Sequence, residues 1–180
     1  MKLASDSFPS RSLHLLFHFL LLNMIDTVIV SLEGVNLRSG LVVREMSIYF
    51  PRHGSFRHYF FEAPHLELTY GDRQTDRYYR NILGGIGLET PIPGALRPRC
   101  VEEILQSLSR HYIYICGNVG YQYIRSILPY SRITDVQRVS AFTYPNSLEA
   151  AGCGVACHAP RRCSLSKLIV LRDFCINNFN

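Results

Sequence analysis

The sequence predicts an α/β domain: an antiparallel three-strand meander, then helices alternating with parallel strands. Three observations predict it. Residues 27–62 hold three runs rich in β-branched and aromatic side chains, separated by short turn signals. Residues 99–139 switch back and forth between a helical and an alternating apolar period. Apolar residues make up 47% and charged residues 18% of the 180, which excludes a disordered composition and leaves enough chain for a real core. A β-β-β order followed by α-β-α-β-α puts helices on the faces of a mixed sheet.

The chain opens on an apolar run, residues 13–22, behind Lys2 and Arg11. This has the charged and apolar regions of a signal peptide, but no small-x-small cleavage site follows. The run alone is too short to span a bilayer, and extending it to Leu32 would bury Asp26. Residues 1–23 are therefore expected to be an apolar leader or N-terminal extension, with Met24 as a candidate internal start. Residues 24–180 are expected to form a single domain. The expected compartment is cytoplasmic or nuclear; the alternative is the secretory pathway, or membrane anchoring through residues 13–22. His14 and His18 lie four apart without a carboxylate and read as ordinary helix residues.

Residues 27–32 alternate and are β-branched, which predicts the first strand. Residues 33–40 read as a turn. Residues 41–50 form the second strand, with Val43, Glu45 and Ser47 on one face and Val42, Met46 and Ile48 on the other. Residues 51–55 turn, and 56–62 are the third strand. Residues 63–98 are looser, with loops marked by Gly84-Gly85-Ile86-Gly87 and Pro91-Ile92-Pro93-Gly94. No Lys-Ser/Thr follows those glycines, which argues against a phosphate cradle. Residues 99–110 carry a helical stripe of Val101, Ile104, Leu105 and Leu108. A strand over 112–116, a helix over 119–128 closed by Pro129, and a strand over 133–139 follow. Ser147 is expected to open a helix with Glu149 near its start. Residues 164–174 are expected to form the final helix.

The formal net charge is +5, which mildly favours an acidic partner such as nucleic acid. Arg57-His58-Tyr59-Phe60 and Arg110-His111-Tyr112 read as strand alternation, rings inward and charges outward. Arg77-Tyr78-Tyr79-Arg80 falls in an expected loop. It is the candidate contact for RNA or other single-stranded nucleic acid, with rings stacking on bases and arginines on phosphates.

The densest chemistry lies in residues 153–163, where Cys153, Cys157, His158 and Cys163 fall together. Thiolate and imidazole are the ligands zinc prefers. Three readings of these residues stand: a zinc site, buried thiols packing as small hydrophobes, and disulfides.

The element order resembles the ribonuclease H-like fold of nucleases. Exonucleases of that fold hold two metals about 4 Å apart on four carboxylates, beside a general-base histidine. The triplet Ser31-Leu32-Glu33 matches their Asp-x-Glu with one acid missing. Asn118-Val119-Gly120-Tyr121-Gln122 matches their Asn-x-x-aromatic-Asp with an amide for the acid. His158 and Cys163 match their His and Asp with a thiol for the acid. Hard cations need charged oxygen, so the ordinary two-metal reaction is not expected. Glu33 and His158 remain the weak catalytic candidates.

A related branch accounts for more of these residues. Val43-Arg44-Glu45-Met46-Ser47-Ile48, Tyr112–Cys116 with the helix after it, His158 and Cys163-Ser164-Leu165 resemble the maelstrom domain of animal small-RNA (piRNA) silencing. The chain is also similar to small uncharacterised arthropod proteins with Lys-Glu-Leu in the second strand and a compact Cys/His/Cys-Ala-Leu ending. The likeness covers roughly residues 25–176. It implies a Glu-Cys-His-Cys zinc site made by Glu45, Cys153 or Cys157, His158 and Cys163. The chain departs where the family's first cysteine stands, three before the histidine, because Val155 is there. The gap from His158 to Cys163 is also shorter. The resemblance implies a pseudoenzyme: a catalytically degenerate ribonuclease H-like module that binds RNA or serves as a scaffold for protein partners. The alternatives are a residual single-strand ribonuclease working through Glu33, Glu45 or His158, and a secreted or anchored disulfide-bonded protein.

Overall fold

The computed structural model describes residues 26–153 and 158–179. The leader over 1–23, with the run 13–22, the candidate start Met24 and the candidate ligand Cys157 all lie outside the described residues. No helix of the described residues is long and apolar enough to cross a membrane.

The elements are β1 (Thr27–Leu37), β2 (Gly40–Phe50), a 3₁₀ turn (Pro51–His53), β3 (Ser55–Phe60), α1 (Tyr70–Asn81), α2 (Cys100–Ser107), β4 (Tyr112–Ile115), α3 (Asn118–Ile127), β5 (Arg132–Asp135), the single turn α4 (Val136–Val139), a second 3₁₀ turn (Pro160–Arg162) and α5 (Ser164–Phe179). The strands form one mixed sheet in the order β3-β2-β1-β4-β5. The first three pair antiparallel, and β4 and β5 add in parallel beyond β1. The α/β class and the meander followed by parallel strands are therefore as expected.

Strand periodicity divides the two faces. Val28, Val30, Met46, Ile48, Ile113, Ile115 and Ile133 meet Val101 and Leu105 of α2, Ile124 of α3, and Leu108 and Leu128, which cap those two helices. This is the larger apolar layer. The opposite face carries Ile29 and Tyr49 against Leu168, Leu171 and Cys175 of α5. Ser31, Glu33, Glu45 and Ser47 share the strand parity of Ile29 and Tyr49, and all four are buried. These four buried polar side chains of β1 and β2 thus lie on the α5 side of the sheet.

Four local expectations change. Residues 33–37 continue β1 instead of turning, with a register shift between Glu33 and Gly34. Gly34 is there for closeness: a Cβ would meet the Val42 carbonyl oxygen at 2.0 Å. Residues 70–81 are helical, not loop. Thr69 and Asp72 form a capping box, with Asp72 N–H donating to Thr69 Oγ1 at 3.2 Å and Thr69 N–H donating to Asp72 Oδ2 at 3.1 Å. The strand expected over 133–139 ends at Asp135, whose carboxylate accepts from Gln137 N–H and starts α4. No helix begins at Ser147 among the described residues. Its candidate turn reaches Gly152 at φ +63° too soon to offset nucleation.

The segment 84–96 is irregular but fastened. Arg44, buried in β2, donates to the carbonyls of Phe61 (2.9 Å), Leu88 (2.8 Å), Thr90 (2.7 Å) and Gly87. Leu88 N–H donates to the buried Asp76 carboxylate of α1 at 2.7 Å. Gly84, at φ +70°, accepts from Ala159 N–H. That bond docks the loop against the segment leading into α5.

Candidate metal centre

Glu45 reaches the site from the middle of β2, where its neighbours are Glu33 on β1 and Phe60 on β3. Cys163 follows the 3₁₀ turn opened by Pro160, with its N–H donating to Pro160 C=O at 3.1 Å. Its own carbonyl accepts from Lys167 N–H, so the thiol sits at the threshold of α5. His158 stands just before Ala159, the residue pinned on Gly84. Cys153 completes the group from the other side of residues 154–157.

One ligand atom from each of Glu45, Cys153, His158 and Cys163 lies within 4.8 Å of every other. His158 Nε2 is 3.3 Å from Glu45 Oε2, Cys163 Sγ is 3.4 Å from Glu45 Oε1, and Cys153 Sγ is 3.8 Å from His158 Nε2. The Glu45 side chain is 1% exposed and the His158 side chain 1%. Glu45 Oε2 is buried with no hydrogen-bond partner among the described residues. A buried carboxylate oxygen in that state needs a proton or a cation nearby. The set can hold a metal ion, and its closure leaves little room for a substrate at the metal.

Beside it, His58 Nε2 lies 3.3 Å from Glu45 Oε1, across the pair of β2 with β3. His58 Nδ1 contacts Ser47 Oγ at 2.6 Å, and Ser47 Oγ contacts Ser164 Oγ at 2.6 Å. Burial pushes the His58 imidazole below its usual pKa, with the Glu45 carboxylate opposing and His158 reinforcing that shift. For His158, burial also disfavours the charged form, but hydrogen bonds with Cys163 and Glu45 and their charges outweigh it and lift the group to about 10. Without a metal these contacts favour the protonated form of His158.

No protein-family model matches this sequence, and no curated protein matches it. The site thus stands on its own geometry. Among the described residues, the candidate ligands Glu45, Cys153, His158 and Cys163 come together, and Cys157 lies outside those residues.

The two weak catalytic candidates part company. His158 is in the cluster. Glu33 is buried and occupied: Tyr79 Oη donates to its Oε2 at 2.9 Å, Arg162 Nη1 lies 3.8 Å from the same oxygen, and Lys167 Nζ donates to Oε1. Two cations and a phenol stand where a metal-bound carboxylate would need open coordination. Ser31 is buried, hydrogen-bonded with Tyr144. Asn118 Oδ1 takes N–H groups from Arg138 and Gln122.

The Arg77–Arg80 group lies on α1. Arg77 and Tyr78 are exposed, but Tyr79 is buried in the Glu33 cluster, and Arg80 is half-buried with its Nε on Asn81 Oδ1. Tyr79 is thus corrected from a stacking ring to a core ring, because helical spacing turns it inward while Tyr78 faces out. Tyr78 borders a cleft of about 400 Å³ that Asn36, Leu41, Asn118, Val119 and Arg162 also line.

Sequence reasoning missed His58, Ser47 and Ser164. Their signal was register: Ser47 faces His58 directly across β2 and β3. It also missed Lys167 and Arg162 as partners of Glu33. Arg162 was visible as a charge next to Cys163, and Lys167 as its neighbour one helical turn on.

Proposed function

We propose that this chain is a catalytically degenerate ribonuclease H-like module, clamped by a zinc ion on Glu45, Cys153, His158 and Cys163, that binds RNA or serves as a scaffold in small-RNA silencing. The meeting of Glu45 with three ligands from the C-terminal segment carries the reading. Zinc bonds of about 2.0–2.3 Å in a tetrahedron require ligand-to-ligand edges of about 3.3–3.8 Å. From His158 Nε2, Glu45 Oε2 is 3.3 Å and Cys153 Sγ 3.8 Å away, which matches that range. Two thiolates beside one imidazole favour a borderline-soft ion over magnesium or calcium. The meander with two parallel strands added to β1 supports the ribonuclease H-like resemblance.

Glu33, saturated by Lys167, Arg162 and Tyr79, supports the non-catalytic side of the proposal. Tyr78, exposed and lining the cleft, and the exposed Arg77 next to it in sequence are the groups offered to a single strand. The tests are direct. Elemental analysis of purified protein should find one zinc per chain, lost in Glu45→Gln and Cys163→Ser; a zinc-free wild type would remove the clamp. Binding of single-stranded RNA should weaken several-fold in Arg77→Glu, with a shallower salt dependence. Affinity unchanged by Arg77→Glu and Tyr78→Ala together would remove that contact. Cleavage of RNA that disappears in a folded His158→Ala variant would replace the proposal with a residual ribonuclease. Six free thiols in denatured, unreduced protein would exclude the disulfide-bonded alternative.

A further inference from the structure

The proposed metal set contains one carboxylate, and a carboxylate is the least rigid of its ligands. Something must decide which oxygen of Glu45 faces inward. Oε2 lies 3.3 Å from His158 Nε2 and has no hydrogen-bond partner among the described residues, whereas Oε1 faces His58 Nε2 at 3.3 Å. His58 Nε2 is itself buried without a hydrogen-bond partner among the described residues. The partnerless His58 Nε2 thus stands opposite Oε1, which also takes the Cys163 thiol at 3.4 Å, while the partnerless Oε2 is left facing the ligand His158.

His58 does not move freely. Its Nδ1 rests on Ser47 Oγ at 2.6 Å, Ser47 Oγ rests on Ser164 Oγ at 2.6 Å, and the ring stands edge-on to Phe60 with centroids 4.6 Å apart. One direction of donation is consistent along the row: Ser164 hydroxyl to Ser47 and Ser47 hydroxyl to His58 Nδ1, which leaves the proton on His58 Nε2, 3.3 Å from Glu45 Oε1. Ser164 opens α5 directly after the ligand Cys163. The row therefore begins and ends beside two ligands that come from distant parts of the chain.

We propose that His58 is the positioning residue of the metal centre, an outer imidazole that holds Glu45 Oε1 so that Oε2 points at the ion. This rests on the metal centre proposed above. Groups that orient a ligand in this way typically change metal affinity 10- to 100-fold when removed.

The test uses cobalt(II) as a probe in the full-length protein, read by affinity and by visible absorption. His58→Ala should weaken cobalt binding about 10- to 100-fold while keeping a tetrahedral spectrum at saturation. His58→Gln, whose side-chain amide can still donate toward Glu45, should recover part of that loss. Ser47→Ala, which frees the ring without removing it, should weaken binding less than His58→Ala. Equal cobalt affinity in wild type and His58→Ala would overturn the assignment and leave the centre intact. So would a spectrum that changes from five- to four-coordinate on losing His58, since that would make it a ligand. Loss in His58→Ala with no recovery in His58→Gln would reduce its role to packing and equally overturn the assignment. Wild type that takes up no cobalt and no zinc would overturn the centre and this role together.

Discussion

Lys167, Arg162 and Tyr79 surround one carboxylate, and this is where single residues decide most. Glu33 lies beside Glu45 in the strand register, so two buried acids share one face. Like charges that close can coexist only if each has its own compensation. Glu33 has its cations, and Glu45 has its histidines and, in our proposal, the metal. Tyr79→Phe removes one donor from Glu33 Oε2 and should destabilise the fold by about 1–2 kcal/mol in urea unfolding. RNA affinity should stay unchanged, because the Tyr79 ring is buried. His158 gives a pH test. Its pKa in the folded, metal-free protein is raised from 6.5 to about 10. The stabilising effect of its proton is fully present below the unfolded value and is lost as pH climbs through about 10. Metal uptake has the opposite sign, since it needs a neutral imidazole and deprotonated thiols. Metal-free protein should therefore melt lower at about pH 9 than at about pH 6, while stabilisation by added zinc should grow over the same rise. A chelator-treated sample whose melting temperature is flat across that window would contradict the coupling of His158 to Glu45 and Cys163.

Elements differ in how openly the sequence announces them. β1 and β2 were legible because β-branched residues recur in runs, but the end of β1 was not. Glu33-Gly34-Val35-Asn36 carries turn residues, and only the contact of Gly34 with Val42 explains why they stay extended. Gly34→Ala should destabilise by about 3 kcal/mol, as an overpacked backbone contact does, with the loss read in chemical denaturation. α1 was illegible for another reason. It buries only Asp76 and Tyr79, so no apolar stripe betrays its period. Its Thr69 and Asp72 capping box was the readable signal. Thr69→Ala should cost about 1 kcal/mol of stability. The candidate ligands at 153–163 could be read from residue type, and Glu45 could be reached only through resemblance. The row through His58 could not be read at all, because it depends on which residues face one another across β2 and β3.

At the scale of the molecule, the centre joins β2 to the approach to α5, across a sequence separation of 118 residues between Glu45 and Cys163. Closing so long a span is entropically unfavourable, and a bound ion would offset that by favouring only the folded chain. The face divided between an apolar layer and a polar one has a matching consequence. The α2 and α3 side can fold on hydrophobic contact alone, whereas the α5 side needs its charges matched as it docks.

Arg44 imposes a last condition, on motion. The residue is 2% exposed, and its guanidinium reaches the carbonyls of Phe61, Gly87, Leu88 and Thr90. If the irregular segment lifted away by itself, a buried cation would lose several acceptors at once. That opening is therefore tied to disruption of β2. Amide hydrogen exchange should reveal it: Leu88, although outside any helix or strand, should exchange as slowly as the amides of the central strands. Fast exchange at Leu88 would mean that the segment opens without β2. An apparent surface loop is thus dynamically part of the sheet.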